Sequence, residues 1–391
     1  MIVISPQVIK EENDFVIISS EFQINDKTDV LWYKIPLKYK SYLVSERLDA
    51  FVVGLLFLAL KTGNNIKVGG AISARLFYTL NHYLINALCL ANPKFKRIEI
   101  SATTLDESDL NRANVAATGL SCGVDSFATY YDHINEEGAY IIKYFTFLNA
   151  GSHGDYGGEN SRKIFYQRFI KVKEFSDNAG EEIISIDSNI SEIIKMNFLQ
   201  TNTLRNISCV LNLQKLFRNY YLASKNRFDV LKLNAKDNQD YDTLLLNFLS
   251  TESTTFYSSV SQLKRTERTE LISNFPDTYN HLDVCTNPEE AIKKINCSKC
   301  DKCLRTQLTL DILGNLESYN SVFDLKEYYK RKNDFIGKII ARRNDPFSSD
   351  IYDLIKERKL NKRIYRYYEI KFKLMFELKG FKKHIKKKLK K

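Results

Sequence analysis

The stretch A-T-G-L-S-C-G-V-D-S-F-A-T-Y, residues 117–130, follows a short apolar run, Val115-Ala116, and leads into a helical pattern. It reads in two ways. Gly119-Leu120-Ser121-Cys122-Gly123 fits G-x-S-x-G, a strained strand-to-helix turn that exposes a nucleophilic serine. Ser121-Cys122-Gly123-Val124-Asp125-Ser126 nearly fits S-G-G-x-D-S, a turn that grips pyrophosphate. The first predicts an esterase, the second an enzyme that activates its substrate with ATP.

The esterase reading needs a histidine after the loop, and His133, His153, His281 and His384 follow it. No H-G-G-G-like oxyanion segment precedes it. The phosphate reading uses more of the residues. A strand that turns directly into a helix leaves backbone N–H groups pointing one way, with the positive end of the helix dipole behind them. The amides of Cys122, Gly123 and Val124 then face the anion, Gly123 permits close backbone approach, and Ser121 and Ser126 can donate hydroxyl hydrogen bonds. Asp125 is expected to hold Mg²⁺, which favours one or two carboxylates together with phosphate oxygens. No Gly-Lys-Ser/Thr follows, so this is not a Walker A loop.

Outward from the loop, short apolar runs alternate with helical patterns. Candidate strands are 114–118, 140–148, 182–186, 228–233 and 281–285, with helices at 126–136, 159–177 and 203–224. This alternation predicts an α/β fold with a parallel, doubly wound sheet, in which ligands sit at the carboxyl ends of the strands. Residues 1–112 read as an N-terminal α+β accessory domain, with strand-like alternation to about residue 43, helices at 45–60 and 73–90, and a strand near 97–102. Residues 113–316 form the nucleotide-binding domain. Residues 317–391 are a helical, Lys-rich C-terminal extension. Arg205, near the start of a helix, is a further candidate for phosphate. The loop A-G-S-H-G-D-Y-G-G-E places His153 and Asp155 where they can meet metal, ribose or substrate.

Four of the seven cysteines are clustered as Cys285-x11-Cys297-x2-Cys300-x2-Cys303. Four thiolates at such spacings close a tetrahedron around Zn²⁺ and leave no open position, so a structural zinc is expected; an iron–sulfur cluster is the rival occupant. The zinc would pin the following helix, with Leu304, Leu308, Ile312 and Leu316 on one face, against the strand at 281–285. Cys89 and Cys209 lie in apolar patterns and read as buried.

L-S-C-G-V-D-S-F resembles the pyrophosphatase loop of the N-type ATP pyrophosphatases, the PP-loop superfamily with its HUP-like sheet. Cys122 stands where that motif has its first glycine. If the position needs a positive φ, a cysteine there is strained by roughly 1 kcal/mol or more. Together with the cysteine cluster some 160 residues later, the loop resembles 7-cyano-7-deazaguanine synthase-like proteins, most closely relatives with an extra N-terminal domain. The likeness spans about residues 114–316. The resemblance implies an AMP-forming adenylating enzyme that uses ATP, Mg²⁺ and Zn²⁺, with Asp125 and Ser126 catalytic. It would activate a carboxyl or carbonyl oxygen of a small-molecule acceptor for attack by a nitrogen or sulfur nucleophile. A tRNA-modifying PP-loop enzyme and an inactive nucleotide- or RNA-binding regulator remain open beside it.

Composition narrows the class. At 44% hydrophobic and 27% charged, the chain is neither mainly disordered nor fibrous. The net charge of +11 suggests a nucleic-acid binder until it is located. Residues 351–391 hold sixteen Lys/Arg against four Asp/Glu, about +12, so the first 350 residues are nearly neutral. Within the tail, Tyr368, Phe372, Met375, Phe376, Phe381, Ile385 and Leu389 mark an apolar stripe, as on a helix that rests on anionic membrane or on RNA. M-I-V-I-S-P-Q has no basic n-region, and the unpaired cysteine pattern suits a reducing compartment, so a cytoplasmic location is expected.

Overall fold

The computed structural model describes residues 1–285, 294–360 and 363–388, with side chains described up to residue 376. The fold is α/β with a large mixed sheet. The chain divides into two compact units. One comprises Met1–Ser121 and Thr129–Gln262, the other Cys122–Ala128 and Leu263–Lys391.

The first unit carries eleven strands: β1 (Ile2–Ile4), β2 (Val8–Glu12), β3 (Phe15–Ile24), β4 (Lys27–Pro36), β5 (Ile66–Ser73), β6 (Ile100–Asp106), β7 (Val115–Gly119), β8 (Ile142–Asn149), β9 (Glu182–Ser188), β10 (Phe217–Ala223) and β11 (Thr255–Ser259). Their order is β11-β10-β7-β8-β9-β4-β3-β1-β5-β6, with β2 on β3. From β11 to β9 all neighbours are parallel. Sequence order runs outward from β7 in both directions, so the strand order reverses between β7 and β10. Open α/β sheets take ligands outside the carboxyl ends of the strands at such a reversal.

Residues 1–112, expected as a separate domain, contribute six strands to this same sheet. The junction is the antiparallel pair β4–β9, with Tyr33 opposite Ser188 and Lys34 opposite Asp187. The pairing covers the edge that β9 would otherwise expose. The sheet is therefore mixed rather than purely parallel. The longest apolar run folds as the helix Asp49–Thr62, buried nearly all round, as expected of a helix apolar on every face.

Three sequence expectations differ from the structure. The helix expected over 203–224 is Phe198–Val210, and the segment F-R-N-Y-Y-L-A beyond it is strand β10. A short apolar run buried on both faces has no period that separates strand from helix, and here its aromatic residues decide. The strand expected at 228–233 is a 3₁₀ turn at Phe228–Val230, and its place in the sheet is taken by β11. Residues 281–285 form no strand, although Leu282 and Val284 are buried.

The second unit is helical, with Arg265–Ser273, Asp301–Leu313, Leu325–Ala341, Pro346–Glu357 and Arg363–Lys388. Its helix starts are written in the sequence: Asp324 and Asp345 each cap a first turn with their carboxylates, and Pro346 follows at the first helical position. The cysteine cluster and the C-terminal extension, expected on opposite sides of a boundary at residue 316, share this unit. Among the described residues no helix is long and apolar enough to cross a membrane.

Candidate functional site

β7 ends at Gly119, and after four intervening residues the chain is helical from Val124 to Asp132. The turn is made by Cys122, which has φ 56° and is 4% exposed. Position 122 therefore lies in the left-handed region, and a cysteine fills it at a cost of about 1–2 kcal/mol. In a nucleophile elbow the strained residue is the serine itself. Here Ser121 is absent from the positive-φ residues, and the left-handed one follows it.

Two contacts hold the turn within the second unit. The Cys122 carbonyl accepts a hydrogen bond from the Asp283 amide at 2.8 Å. The Ser126 hydroxyl accepts from the Gly123 amide and donates to the Gly123 carbonyl, each at 3.1 Å. Ser126 thus reaches back from the third helical position to the cap, which satisfies an otherwise orphaned donor. In this arrangement it stabilises the loop.

Asp125, in the first turn of the helix, is clasped by two arginines. Arg265 Nη1 donates to Oδ2 at 2.5 Å and Arg268 Nη1 to Oδ1 at 2.9 Å. Burial alone would raise the Asp125 carboxyl, but the charges of Arg265 and then Arg268 more than reverse this and hold it below its usual range. A carboxylate with both oxygens on guanidinium groups is a poor Mg²⁺ ligand. In this structure Asp125 serves as counter-ion to the two guanidinium groups.

Two further cations, Lys302 and Arg305, lie close to this pair. Both are pushed down, by desolvation first and then by the nearby charge of Arg265. Arg305 lies over the ring of Phe347 at 4.4 Å, and its buried Nε has no hydrogen-bond partner among the described residues. Arg265 and Arg305 line a small, shallow pocket with Thr266, Thr269, Thr306, Thr309, Phe347 and Asp350. Asp301, Asp345 and Asp350 also lie near these cations, so the cluster is partly neutralised; cations beside a helix N-terminus are still an environment that can take an anion. The two pairs, Arg265/Arg268 and Lys302/Arg305, share an i, i+3 spacing that sets each pair on one helix face. K-R-T-E-R and D-K-C-L-R carry that signal in sequence, but nothing in it joins two helices so far apart along the chain.

In the first unit, Arg205 is not a phosphate ligand. It is fully buried, and its guanidinium donates to the carbonyls of Asp155 (3.0 Å) and Met196 (2.8 Å) and to the Ser191 hydroxyl (3.1 Å). It holds the glycine-rich loop in place. Gly151 has φ 126°, and a Cβ there would lie 2.6 Å from Arg205 Nη1, so only glycine fits. His153 packs between Phe147 and Phe165, and burial lowers its pKa to about 4, so it is neutral near pH 7. The Asp155 carboxylate accepts from Asn197 at 2.7 Å. The other histidine rings are also engaged, His133 with the Thr129 carbonyl and His281 with that of Asp277. The His384 side chain lies outside the described residues.

The cysteines assemble as expected. The sulfur atoms of Cys285, Cys297, Cys300 and Cys303 all lie within 4.8 Å of one another, a group that can hold a metal ion such as zinc. Cys297 and Cys303 are 3.8 Å apart, the separation that tetrahedral bonds of about 2.3 Å demand. The Cys297 amide points at Cys285 Sγ (3.5 Å) and the Cys300 amide at Cys297 Sγ (3.4 Å), as suits thiolates. Cys300 caps the helix Asp301–Leu313, whose positive end faces the cluster. The bond with Cys300, then burial, drive the Cys303 thiol far up, so four thiolates need a cation to coexist. Leu304, Leu308 and Leu316 are buried as expected, whereas Ile312 is half-buried. Cys209 is buried and Cys89 half-buried.

Cluster and loop are joined. The Cys285 amide donates to Asp283 Oδ1 at 3.2 Å, and the Asp283 amide in turn holds the Cys122 carbonyl. Comparison of the chain with protein-family models, with curated proteins and with solved structures finds no match.

Proposed function

We propose that the chain is an ATP-dependent adenylating enzyme of the PP-loop kind, related to 7-cyano-7-deazaguanine synthase, which splits ATP into AMP and pyrophosphate. The observation that carries the reading is the gathering of Arg265, Arg268, Lys302 and Arg305 around Asp125, in the first turn of the helix that follows the left-handed Cys122. Pyrophosphate carries the dense negative charge that such a cluster of cations would bind. A substrate oxygen attacks the α-phosphate, pyrophosphate leaves, and a nitrogen or sulfur nucleophile displaces AMP. Positioning and charge stabilisation carry the first step, so no acid–base pair is required. Mg²⁺ bound with the triphosphate would add neutralising charge at the phosphates. The four cysteines would hold a structural zinc.

The test is titration calorimetry of the full chain with pyrophosphate and with ATP, beside a pyrophosphate-release assay with MgATP. Small molecules that copurify, identified by mass spectrometry, supply the acceptors to try. Pyrophosphate binding that weakens about tenfold or more in Arg268→Met supports the reading, as one charged hydrogen bond is worth about 1.5–3 kcal/mol. Failure to bind either ATP or pyrophosphate sinks it. Binding of both without turnover on any acceptor supports instead a nucleotide-binding regulator.

A further inference from the structure

The helix Arg363–Lys388 packs by one side only, on the helix Leu325–Ala341. Tyr365 is buried there, and Tyr368 and Phe372 are half-buried. Gly337 is the point of closest approach: a Cβ on it would lie 2.4 Å from the Tyr368 carbonyl carbon, so a larger residue would force the helices apart. Lys371 with Asp334 (2.6 Å) and Arg343 with Glu369 (3.6 Å) fix the register. The helix is therefore seated, with a defined outer face.

That outer face is apolar. Ile364, Tyr367, Ile370 and Leu374 are 50%, 60%, 52% and 56% exposed. Their spacing of three, three and four residues sets them in one stripe. It is not the stripe expected from the sequence, whose Tyr368 and Phe372 are half-buried on the inner side and whose Phe376 stacks on Phe372. Exposed Arg363, Arg366 and Lys373 flank the outer stripe. Residues 377–391 then add eight lysines and a single glutamate; the side chains of Phe381, Ile385 and Leu389, also on the expected stripe, lie outside the described residues.

We infer that this helix docks the protein on an anionic lipid surface, lying in the interface with its outer stripe among the headgroups and acyl chains. Two properties are needed together, and both are present. Cations supply attraction to a negative surface, and an unpartnered apolar face supplies burial once there. Phosphate contacts with RNA would use the cations but give the apolar stripe no partner. The described helices are too short or too polar to cross a bilayer, which leaves the in-plane mode. The inference stands apart from the adenylation reading.

The experiment is flotation of the full-length protein with phosphatidylcholine vesicles, with and without about one third phosphatidylserine, beside filter binding of single-stranded RNA. The protein is expected to float with the anionic vesicles only, less so as salt rises. The double variant Ile370→Glu/Leu374→Glu should lose about tenfold or more of its partitioning. These side chains are exposed, and an unchanged circular dichroism melt checks the fold. Lys382→Glu/Lys383→Glu should lower the partitioning by the charge route alone. The inference is overturned if the protein stays in solution with anionic vesicles, if Ile370→Glu/Leu374→Glu floats as well as wild type, or if RNA binds and vesicles do not.

Discussion

Replacing Asp125 by Asn removes a charge that Arg265 and Arg268 share and leaves the shape of the turn unchanged. Arg268 is 1% exposed and Arg265 24%, so water compensates the second far better than the first. Breaking a buried ion pair by removing one partner costs about 3–5 kcal/mol, and partial exposure of Arg265 puts this case near the lower end. Loss of a carboxylate from the first helical turn adds about 0.5 kcal/mol. For a unit of this size each kcal/mol is worth about 4 °C, so the variant should melt about 10–15 °C below wild type at pH 7.5. The loss should also be repaired by the missing charge. Millimolar pyrophosphate should raise the Tm of Asp125→Asn by more than it raises that of wild type, with sodium chloride at equal ionic strength as the control. The assay is a thermal melt followed by near-ultraviolet circular dichroism. A drop below about 3 °C, or pyrophosphate no better than salt, would refute the claim that Asp125 is the counter-ion of an anion site.

Cys122→Gly should change stability by less than about 1 kcal/mol, because relief of the left-handed strain offsets lost burial and added chain freedom, whereas Cys122→Val should cost about 2 kcal/mol or more; urea midpoints decide. Cys300→Ser should lower bound metal, read by elemental analysis, and weaken pyrophosphate binding about tenfold, because the tether from Cys285 through Asp283 to Cys122 goes slack. Asp49 is fully buried, and burial raises its pKa from 3.8 to about 6 despite bonds from Ser73 and Gln214. The folded state therefore holds a proton that the unfolded chain releases, so stability should fall by about 3 kcal/mol as pH rises from 4 to 6 and stay level above. Asp49→Asn should flatten that slope in denaturant titrations, and identical slopes would contradict the assignment.

The loop was legible because its residues act locally. Ser121 to Ser126 are consecutive, and a strand-to-helix turn with a glycine-like position can be read from the order of residue types alone. The cysteines were legible for the same reason: three lie within seven residues, and metal chemistry fixes the rest. Arg205 was misread because sequence shows an arginine in a helix but not the carbonyls of a distant loop that surround it. His153 was offered as a ligand for the glycines beside it, yet Phe147 and Phe165 decide its surroundings. β10 was taken for helix because burial on both faces erases the alternation that marks a strand. The junction of residues 1–112 with the parallel sheet rests on two residue pairs, Tyr33 with Ser188 and Lys34 with Asp187, and leaves no mark in composition.

On the proposed reading, the arginine clasp explains how a carboxylate can sit in a phosphate-binding loop. Without a ligand, Arg265 and Arg268 need a counter-ion, since two desolvated guanidinium groups side by side would destabilise the unit that holds them. Asp125 fills that need. When an anion with more charge arrives, the guanidinium groups gain a stronger partner and the carboxylate is left to accept from donors of its own. The cluster is thereby assembled before the ligand binds, and binding need not supply the free energy of gathering it. The cysteine group serves the same end from behind. By fixing Asp283 it fixes the Cys122 carbonyl, and with it a left-handed residue that would otherwise relax toward ordinary φ. On the adenylation reading, a metal held there would bear on pyrophosphate binding through backbone geometry, and its removal should be felt first as lost pyrophosphate affinity.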